Sequence, residues 1–167
     1  MDPGTGATGY GVVETRELGR MHLVECGVIR TAARAGLAAR LHVVHRELAA
    51  LLKRHRPDVL AVEEAFHARN ARTTLVLGHA RGVILLAGEE AGVRIAEYTP
   101  AMIKKTVTGR GAAHKPQVGF MVARLLRLAS APRPADAADG VAVALTHLLR
   151  GFAPPGRGTA GPPRVAR

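Results

Sequence analysis

The feature that most constrains the fold of this chain is the position of its few aspartates. Asp2 opens the run Asp2-Pro3-Gly4-Thr5, and Asp136 and Asp139 lie three residues apart after the breaker Pro132-Arg133-Pro134. On a helix, Asp136 and Asp139 share one face near the first turn, where the positive end of the helix dipole favours negative charge. A fold that brings the two ends of the chain together therefore gathers three carboxylates.

Glu63 is the fourth candidate for the same site. It ends the apolar run Val59-Leu60-Ala61-Val62, which is typical of a buried strand, so its side chain is expected at the exposed carboxyl end of that strand. If the strand continued, Glu64 would point to the opposite face. Glu63 is therefore the glutamate expected beside the aspartates.

Carboxylates at this density repel each other, and without cations one or more would be protonated at neutral pH. Two divalent cations would balance four negative charges, activate a water and stabilise the leaving 3′ oxygen of a phosphodiester. The alternatives stay open at this point: Asp136 or Asp139 could cap a helix, and Glu63 could be a solvent-exposed strand end.

Composition points to a polyanionic partner. The chain has 24 Lys and Arg against 13 Asp and Glu, a formal net charge of +11, which favours nucleic acid over a merely solvated basic surface. Its 167 residues fit one domain over residues 1–150, followed by a Pro-, Gly- and Arg-rich tail at 151–167 that is expected to be disordered. The single cysteine precludes an internal disulfide, and no stretch suits a signal peptide or membrane span, so a cytoplasmic protein without membrane contact is expected.

The order of predicted elements indicates an α/β fold. A mixed sheet with helices on both faces fits strands that come first and then alternate with helices. One helix carries Gly78, Gly82 and Gly88, which are expected to thin one face for close packing. The predicted elements are strands at 10–14, 21–31, 59–63 and 93–98, and helices at 36–55, 73–91, after Thr99-Pro100, after Pro116 and at 135–149, with a polar basic loop at 64–72.

The glycine-rich amino-terminal segment matches two nucleotide-binding patterns. Gly4-Thr5-Gly6-Ala7-Thr8-Gly9 matches the dinucleotide-binding fingerprint, but a strand is predicted after it where a helix is required. The run Asp2-Pro3-Gly4-Thr5 also resembles the phosphate loop of actin-like ATPases, which need two such domains to enclose ATP. Neither pattern is favoured.

Taken in order, these residues resemble the RuvC family of bacterial Holliday junction resolvases, which belongs to the RNase H-like superfamily. The resemblance runs from residue 2 to about 150. It is carried by Asp2-Pro3-Gly4, Thr8-Gly9-Tyr10-Gly11-Val12, Cys26-Gly27-Val28-Ile29-Arg30-Thr31, Pro57-Asp58, Val62-Glu63, Phe66, Arg69-Asn70, Gly78-His79-Ala80-Arg81-Gly82-Val83 and Ala135-Asp136-Ala137-Ala138-Asp139.

The resemblance implies an RNase H-like mixed five-stranded sheet and a magnesium-dependent endonuclease that nicks four-way DNA junctions symmetrically. It implies that two Mg²⁺ ions per site, with Mn²⁺ as a substitute, are bound by the catalytic set Asp2, Glu63, Asp136 and Asp139. Phe66 would engage a base at the opened junction. The alternative is that Phe66 packs in a small hydrophobic cluster apart from the main core. DNA contacts are expected from Phe66, Arg69, Asn70, Arg72, Lys104, Arg110 and Lys115. The implied partners are a second copy of the chain and the branch-migration proteins RuvA and RuvB.

The sequence departs from the family at its amino end. The family has several apolar residues before the first aspartate, forming a central strand, and here only Met1 precedes Asp2. A truncated first strand is therefore expected, with either a start upstream of Met1 or a defective chain. The alternatives to a junction resolvase are another RNase H-like nuclease, acting on RNA or replication intermediates, and an inactive DNA-binding remnant.

Overall fold

The computed structural model describes residues 1–15, 20–64 and 71–151 of the chain. The predicted order of strands and helices is confirmed, with β1 starting at Ala7, three residues before the predicted start. The elements are β1 (Ala7–Thr15), β2 (Met21–Arg30), α1 (Leu37–His55), β3 (Val59–Glu63), α2 (Ala71–Glu90), β4 (Arg94–Tyr98), α3 (Pro100–Thr108), α4 (Lys115–Leu125) and α5 (Ala135–Leu149).

The described strands form two ladders of two strands each. β1 pairs antiparallel with β2, from Ala7 opposite Arg30 to Thr15 opposite Met21, with a bulge after Val12. β3 pairs in parallel with β4 over the full length of both strands. The chain has to cross between parallel strands through a long connection, which α2 supplies.

Met1 and Asp2 link the two ladders. Asp2 and Gly9 exchange both backbone hydrogen bonds, at 2.9 and 3.1 Å. On the other side, the amide of Glu63 donates to the carbonyl of Met1 at 2.9 Å, and the amino group of Met1 donates to the carbonyl of Ala61 at 2.7 Å. These two residues therefore lie between β1 and β3.

The expected five-stranded sheet is thus seen as two ladders with Met1 and Asp2 between them. Beyond Met1, a cleft of about 440 Å³ separates β1 from β3, so the two strands do not belong to one ladder. We call this space the inter-ladder cleft. Its walls are β1 and β3, and its floor and roof include Leu48 and Leu52 of α1 and Ala144 and Leu148 of α5.

Two apolar cores lie on opposite faces of the strands, which confirms helices on both faces. The alternation along β3 divides its side chains between them: Leu60 and Val62 pack with Val44 and Leu48 of α1, whereas Ala61 packs on the other side. The second core is built from α3, α4 and α5, and its buried side chains include Ile103, Val107, Val118, Val122, Leu126, Val141, Val143 and Leu145. Because Met1 packs with the α1 side, the side chain of Asp2 faces α5.

The three glycines of α2 do not share a packing face. A Cβ at Gly88 would lie 2.7 Å from a methyl group of Leu60, so this glycine allows close contact with β3. Gly78 and Gly82 have open space where a Cβ would be, and both are exposed. The expectation that all three serve one interface is wrong, because their spacing turns Gly88 toward the sheet and the other two toward solvent.

Residues 16–19, 65–70 and 152–167 are outside the described part of the chain. The predicted loop at 64–72 falls largely there, as does nearly all of the tail predicted at 151–167. Within the described residues, no helix has both the length and the apolar character needed to cross a bilayer.

Candidate functional site: a carboxylate cluster

Asp2, Asp136 and Asp139 meet at one point of the structure. One carboxylate oxygen from each lies within 4.8 Å of the others. Asp136 and Asp139 come from the first turns of α5, whose N-cap is Pro134 and which has no side-chain cap hydrogen bond. Helix capping is therefore not the role of these aspartates here, and the predicted convergence of the two chain ends is what the structure shows.

Small residues let β1 and α5 approach closely enough for this meeting. A Cβ at Gly9 would overlap the backbone oxygen of Asp136, and a Cβ at Gly140 would overlap the backbone of Tyr10. A Cβ at Gly11 would likewise overlap Val141. Because Gly9 is hydrogen-bonded to Asp2, this contact holds the amino end of the chain against the start of α5.

The turn after Asp2 is held by side-chain hydrogen bonds from Thr8, Thr31 and Arg40, of which only Arg40 lies outside the motifs quoted above. The buried hydroxyl of Thr8 donates to the carbonyl of Gly4 and accepts from its amide. From α1, the guanidinium of Arg40 donates to the carbonyl and hydroxyl oxygens of Thr5, at 3.0 and 2.9 Å. Thr31 also donates to the carbonyl of Thr5. Thr8 and Thr31 stand in the motifs that carry the family resemblance, but no local pattern indicated their hydrogen-bond partners or the part that Arg40 plays.

Glu63 faces the same site from β3. It lies two residues after Ala61, so its side chain is on the α5 side of the ladder, as is that of Asp2. Its backbone amide is bound to Met1, which fixes the end of β3 beside Asp2. We use the name carboxylate cluster for Asp2, Glu63, Asp136 and Asp139.

Burial and mutual repulsion raise the pKa values of two of these acids, Asp2 and Glu63. Burial, followed by the charge of Asp139, raises the pKa of Asp2 to about 6. Burial, followed by the charges of Asp2 and Asp139, raises the pKa of Glu63 to about 7. Both shifts have the direction expected for carboxyl groups that share a partly dry site without a compensating cation.

Lys115 forms an ion pair with the cluster. Its Nζ donates to Oδ2 of Asp139 at 2.7 Å, and this hydrogen bond is the main reason why the pKa of Lys115 is raised. The side chain of Lys115 is 66% exposed, whereas that of Asp139 is 17% exposed. The sequence placed Lys115 near DNA, but its bond to an aspartate of the cluster was not foreseen, because the two residues are 24 positions apart.

The other predicted DNA-binding residues divide into two groups. Lys104 is half-buried on α3, Arg110 is exposed just after the end of that helix, and Arg72 is exposed in the first turn of α2. The segment from Lys104 to Arg110 leads directly into α4, which begins at Lys115. Phe66, Arg69 and Asn70 lie outside the described residues.

The cluster is chemically suited to a hard divalent cation. Carboxylate oxygens are the preferred ligands of Mg²⁺, which is commonly held by one or two carboxylates while it retains several waters. Burial, and after it repulsion between the carboxylates, raises the pKa values of Asp2 and Glu63, and a bound cation would offset both effects. A cation held here can activate a water for attack on a phosphodiester.

Comparisons of the sequence with a family model and with curated relatives identify the same family. The family model described as Crossover junction endodeoxyribonuclease RuvC matches residues 1–147. The crossover junction endodeoxyribonuclease RuvC of Syntrophomonas wolfei is 47% identical over 148 residues, covering 89% of this chain and 86% of the relative. That of Halorhodospira halophila is 47% identical, covering 96% of this chain and 95% of the relative.

Solved structures agree. RuvC of Thermus thermophilus superposes with a TM-score of 0.81 at 37% identity, covering 89% of this chain and 90% of that one. The same protein in complex with a Holliday junction substrate gives a TM-score of 0.80 at 34% identity. The yeast mitochondrial Holliday junction resolvase, at 11% identity and a TM-score of 0.64, shares the fold. The predicted RNase H-like α/β fold is confirmed by these matches.

Proposed function

Since this chain belongs to the RuvC family of crossover junction endodeoxyribonucleases, we propose that it cuts four-way DNA junctions at the carboxylate cluster. The observation that carries the proposal is the meeting of three aspartate carboxylates within 4.8 Å in a protein of net charge +11. A Thermus relative with the same fold has been solved with a Holliday junction substrate, which supports the choice of DNA.

Asp2, Glu63, Asp136 and Asp139 are the proposed ligands and catalytic residues. Two Mg²⁺ ions, for which Mn²⁺ would substitute, supply an activated water and charge stabilisation at the leaving 3′ oxygen when bound. The chain itself contributes a fixed geometry. Asp2 is held by the pairing with Gly9, Glu63 by the hydrogen bond from its backbone amide to the carbonyl of Met1, and the α5 aspartates by the contact of Gly140 with β1.

Proton release accompanies metal binding in this proposal. With a pKa of about 6 for Asp2 and about 7 for Glu63, part of the metal-free population carries protons on these groups at neutral pH. Ligands have to be deprotonated to bind a metal, so affinity rises as the pH rises through this range. Cleavage at low Mg²⁺ concentration is therefore expected to weaken below about pH 7, in the direction set by these two groups.

Basic residues near the cluster would hold the DNA backbone. Lys104 and Arg110 lie on the segment that precedes α4, and Lys115 reaches the cluster itself. Phosphate contacts of this kind position the substrate and supply most of its salt-dependent affinity. Arg72, Arg69, Asn70 and Phe66 complete the proposed contact set, with Phe66 stacking on a base at the crossover.

A homodimer would place two such sites on opposing DNA strands of the junction. The exposed face of α2 supports this arrangement, since Leu75 and Leu86 are 65% and 52% exposed and flank the open positions Gly78 and Gly82. These four residues recur at helical spacing, which forms an apolar stripe that a second helix could approach closely. RuvA and RuvB are proposed as branch-migration partners on the family relationship alone.

The direct test is cleavage of a synthetic four-way junction by the full chain with and without Mg²⁺. We expect paired symmetric nicks that require the metal. An RNA–DNA hybrid and linear duplex DNA serve as substrate controls, and preferential cleavage of the hybrid would favour another RNase H-like nuclease. Junction binding without cleavage in Mg²⁺ or Mn²⁺ would instead identify the chain as a DNA-binding module.

A further inference from the structure

A groove of about 740 Å³ opens beside the carboxylate cluster. One wall is the start of α4, with Lys115, Pro116 and Gly119, and the other is the segment from Pro132 to Pro134 together with the first turn of α5. Asp139 also lines this groove, so it is continuous with the cluster. The groove therefore opens next to the position that a phosphate bound at the cluster would occupy.

The walls of the groove are mostly small and apolar. Proline rings and the alanines at 131, 135 and 138 face a space that has Lys115 and Arg133 as its basic residues. Pockets that accept unstacked bases combine apolar side chains, against which the base stacks, with a few polar groups at the edge. Charged groups are poorly matched to apolar walls, so a phosphate would remain at the rim beside Lys115 and Arg133.

We propose that this groove is a subsite for a nucleobase of the cleaved strand, namely the base of the nucleotide next to the phosphate at the carboxylate cluster. The proposal rests on the proposed junction cleavage. Successive phosphates of a strand are spaced by only a few Å along the duplex axis, so a nucleotide adjacent to the cut lies within reach of the groove. Binding of this base in the groove would position the scissile phosphate at the carboxylate cluster.

Ala131 and Gly119 provide variants that narrow the groove. A Cβ at Gly119 would lie 3.4 Å from the Cβ of Ala131, so α4 and the segment before α5 approach each other closely at these two lining residues. Ala131→Leu adds bulk to the groove from the loop side, and Gly119→Ala adds a single methyl group from α4. Ala129→Leu is the matched control, because Ala129 is exposed and does not line the groove.

The test compares intact junctions with junctions that carry one abasic nucleotide on either side of the cut. We expect wild-type cleavage to fall roughly tenfold when the missing base is the one that the groove holds, within the range for a lost stacking contact. Ala131→Leu should cut the intact junction roughly tenfold more slowly than wild type does. On the junction that lacks the base held by the groove, it should cut as fast as wild type does. Gly119→Ala should show the same pattern to a smaller extent, and Ala129→Leu should behave as wild type.

Cleavage rates are expressed per folded molecule, with melting temperatures measured for each variant. The subsite is overturned if wild type cuts both abasic junctions as fast as the intact one. It is also overturned if the defect of Ala131→Leu persists unchanged on both abasic junctions, or if Ala129→Leu shows the same defect. Wild-type cleavage of the intact junction checks the proposed function separately, so the two failures are distinguishable.

Discussion

The space between β1 and β3 has two ends of opposite character. At one end, Asp2 pairs with Gly9, the amide of Glu63 donates to the carbonyl of Met1, and three aspartate carboxylates meet, with Glu63 near enough for the charges of Asp2 and Asp139 to raise its pKa. At the other end, the inter-ladder cleft of about 440 Å³ lies between apolar side chains of α1 and α5. The amino group of Met1 marks the boundary, and burial lowers the pKa of this group to about 6.

If the carboxylate cluster is the cleavage site, as proposed, activity depends on one end of this space and stability depends on the other. The acidic end concentrates like charges, which costs folding free energy that bound cations would return. The cleft end leaves apolar surface and strand edges without the packing that a filled sheet would have. Changes at the acidic end should therefore alter cleavage, whereas changes at the cleft end should alter the melting temperature.

The largest effect is expected from neutralising the carboxylate cluster. Asp2→Asn, Glu63→Gln, Asp136→Asn and Asp139→Asn should each reduce junction cleavage well beyond the roughly 10- to 100-fold typical of indirect metal-site mutations. Junction binding should persist, because basic residues supply ground-state affinity and the metals serve the transition state. Cleavage and gel-shift assays on the same preparations measure both. Retained magnesium-dependent cutting by Glu63→Gln would remove that residue from the set.

The next largest effect is expected at the inter-ladder cleft. Five apolar residues fused ahead of Met1 should lie between β1 and β3, hydrogen-bond with both and bury their side chains against α1 and α5. Several kcal/mol of added stability corresponds to a rise in melting temperature of roughly 10 °C for a chain of this size. An extension of equal length built from Gly and Ser is the control. Equal melting temperatures for the two extended proteins would show that the cleft does not accept a strand.

A smaller effect should appear in the pH dependence of the metal-free protein. Because the folded-state pKa of Glu63, about 7, lies above its ordinary value, its ionisation destabilises the fold fully above pH 7 and not at all below about pH 4. Glu63→Gln should therefore be more stable than wild type at pH 8, by on the order of 1 kcal/mol, and this advantage should shrink toward pH 4. Urea unfolding in the presence of a chelator measures it. A constant difference across pH would mean that neither burial nor the neighbouring carboxylates raise the pKa of Glu63.

The smallest effect concerns the salt dependence of junction binding. Lys104→Ala should reduce the slope of log affinity against log salt by about one, the contribution of roughly one phosphate contact. Lys115→Ala should do the same if its ammonium leaves Asp139 for DNA. Lys53→Ala, on the last turn of α1, is the control and should leave the slope unchanged. Unchanged slopes for Lys104→Ala and Lys115→Ala would place both side chains away from the DNA backbone.

Local sequence patterns were sufficient to predict much of the fold and part of the candidate site. The apolar run Val59–Val62 predicted a buried strand with Glu63 at its end, and the structure places that side chain on the α5 face. The spacing of Asp136 and Asp139 predicted a shared helix face, and both carboxylates reach one cluster. These predictions succeeded because each depends on a few consecutive residues and on one regular backbone geometry.

Other features depended on contacts between distant residues. The glycines of α2 were expected to act together, yet only Gly88 packs against β3. Lys115 binds Asp139, and Arg40 holds the turn at Thr5, across separations of 24 and 35 residues. Nothing in the local composition around these residues indicates such partners, since they are set by how the helices pack on the ladders.

The sequence by itself determined the order of strands and helices, the basic charge and the identity of the candidate carboxylates. The tertiary structure alone decided that β1 and β3 are divided by a cleft and that Asp2 is held between them. It also decided how closely α5 approaches β1 at Gly9 and Gly140. The physical reason is that periodicity governs which face a side chain occupies, whereas the distance between two faces depends on the packing of every residue between them.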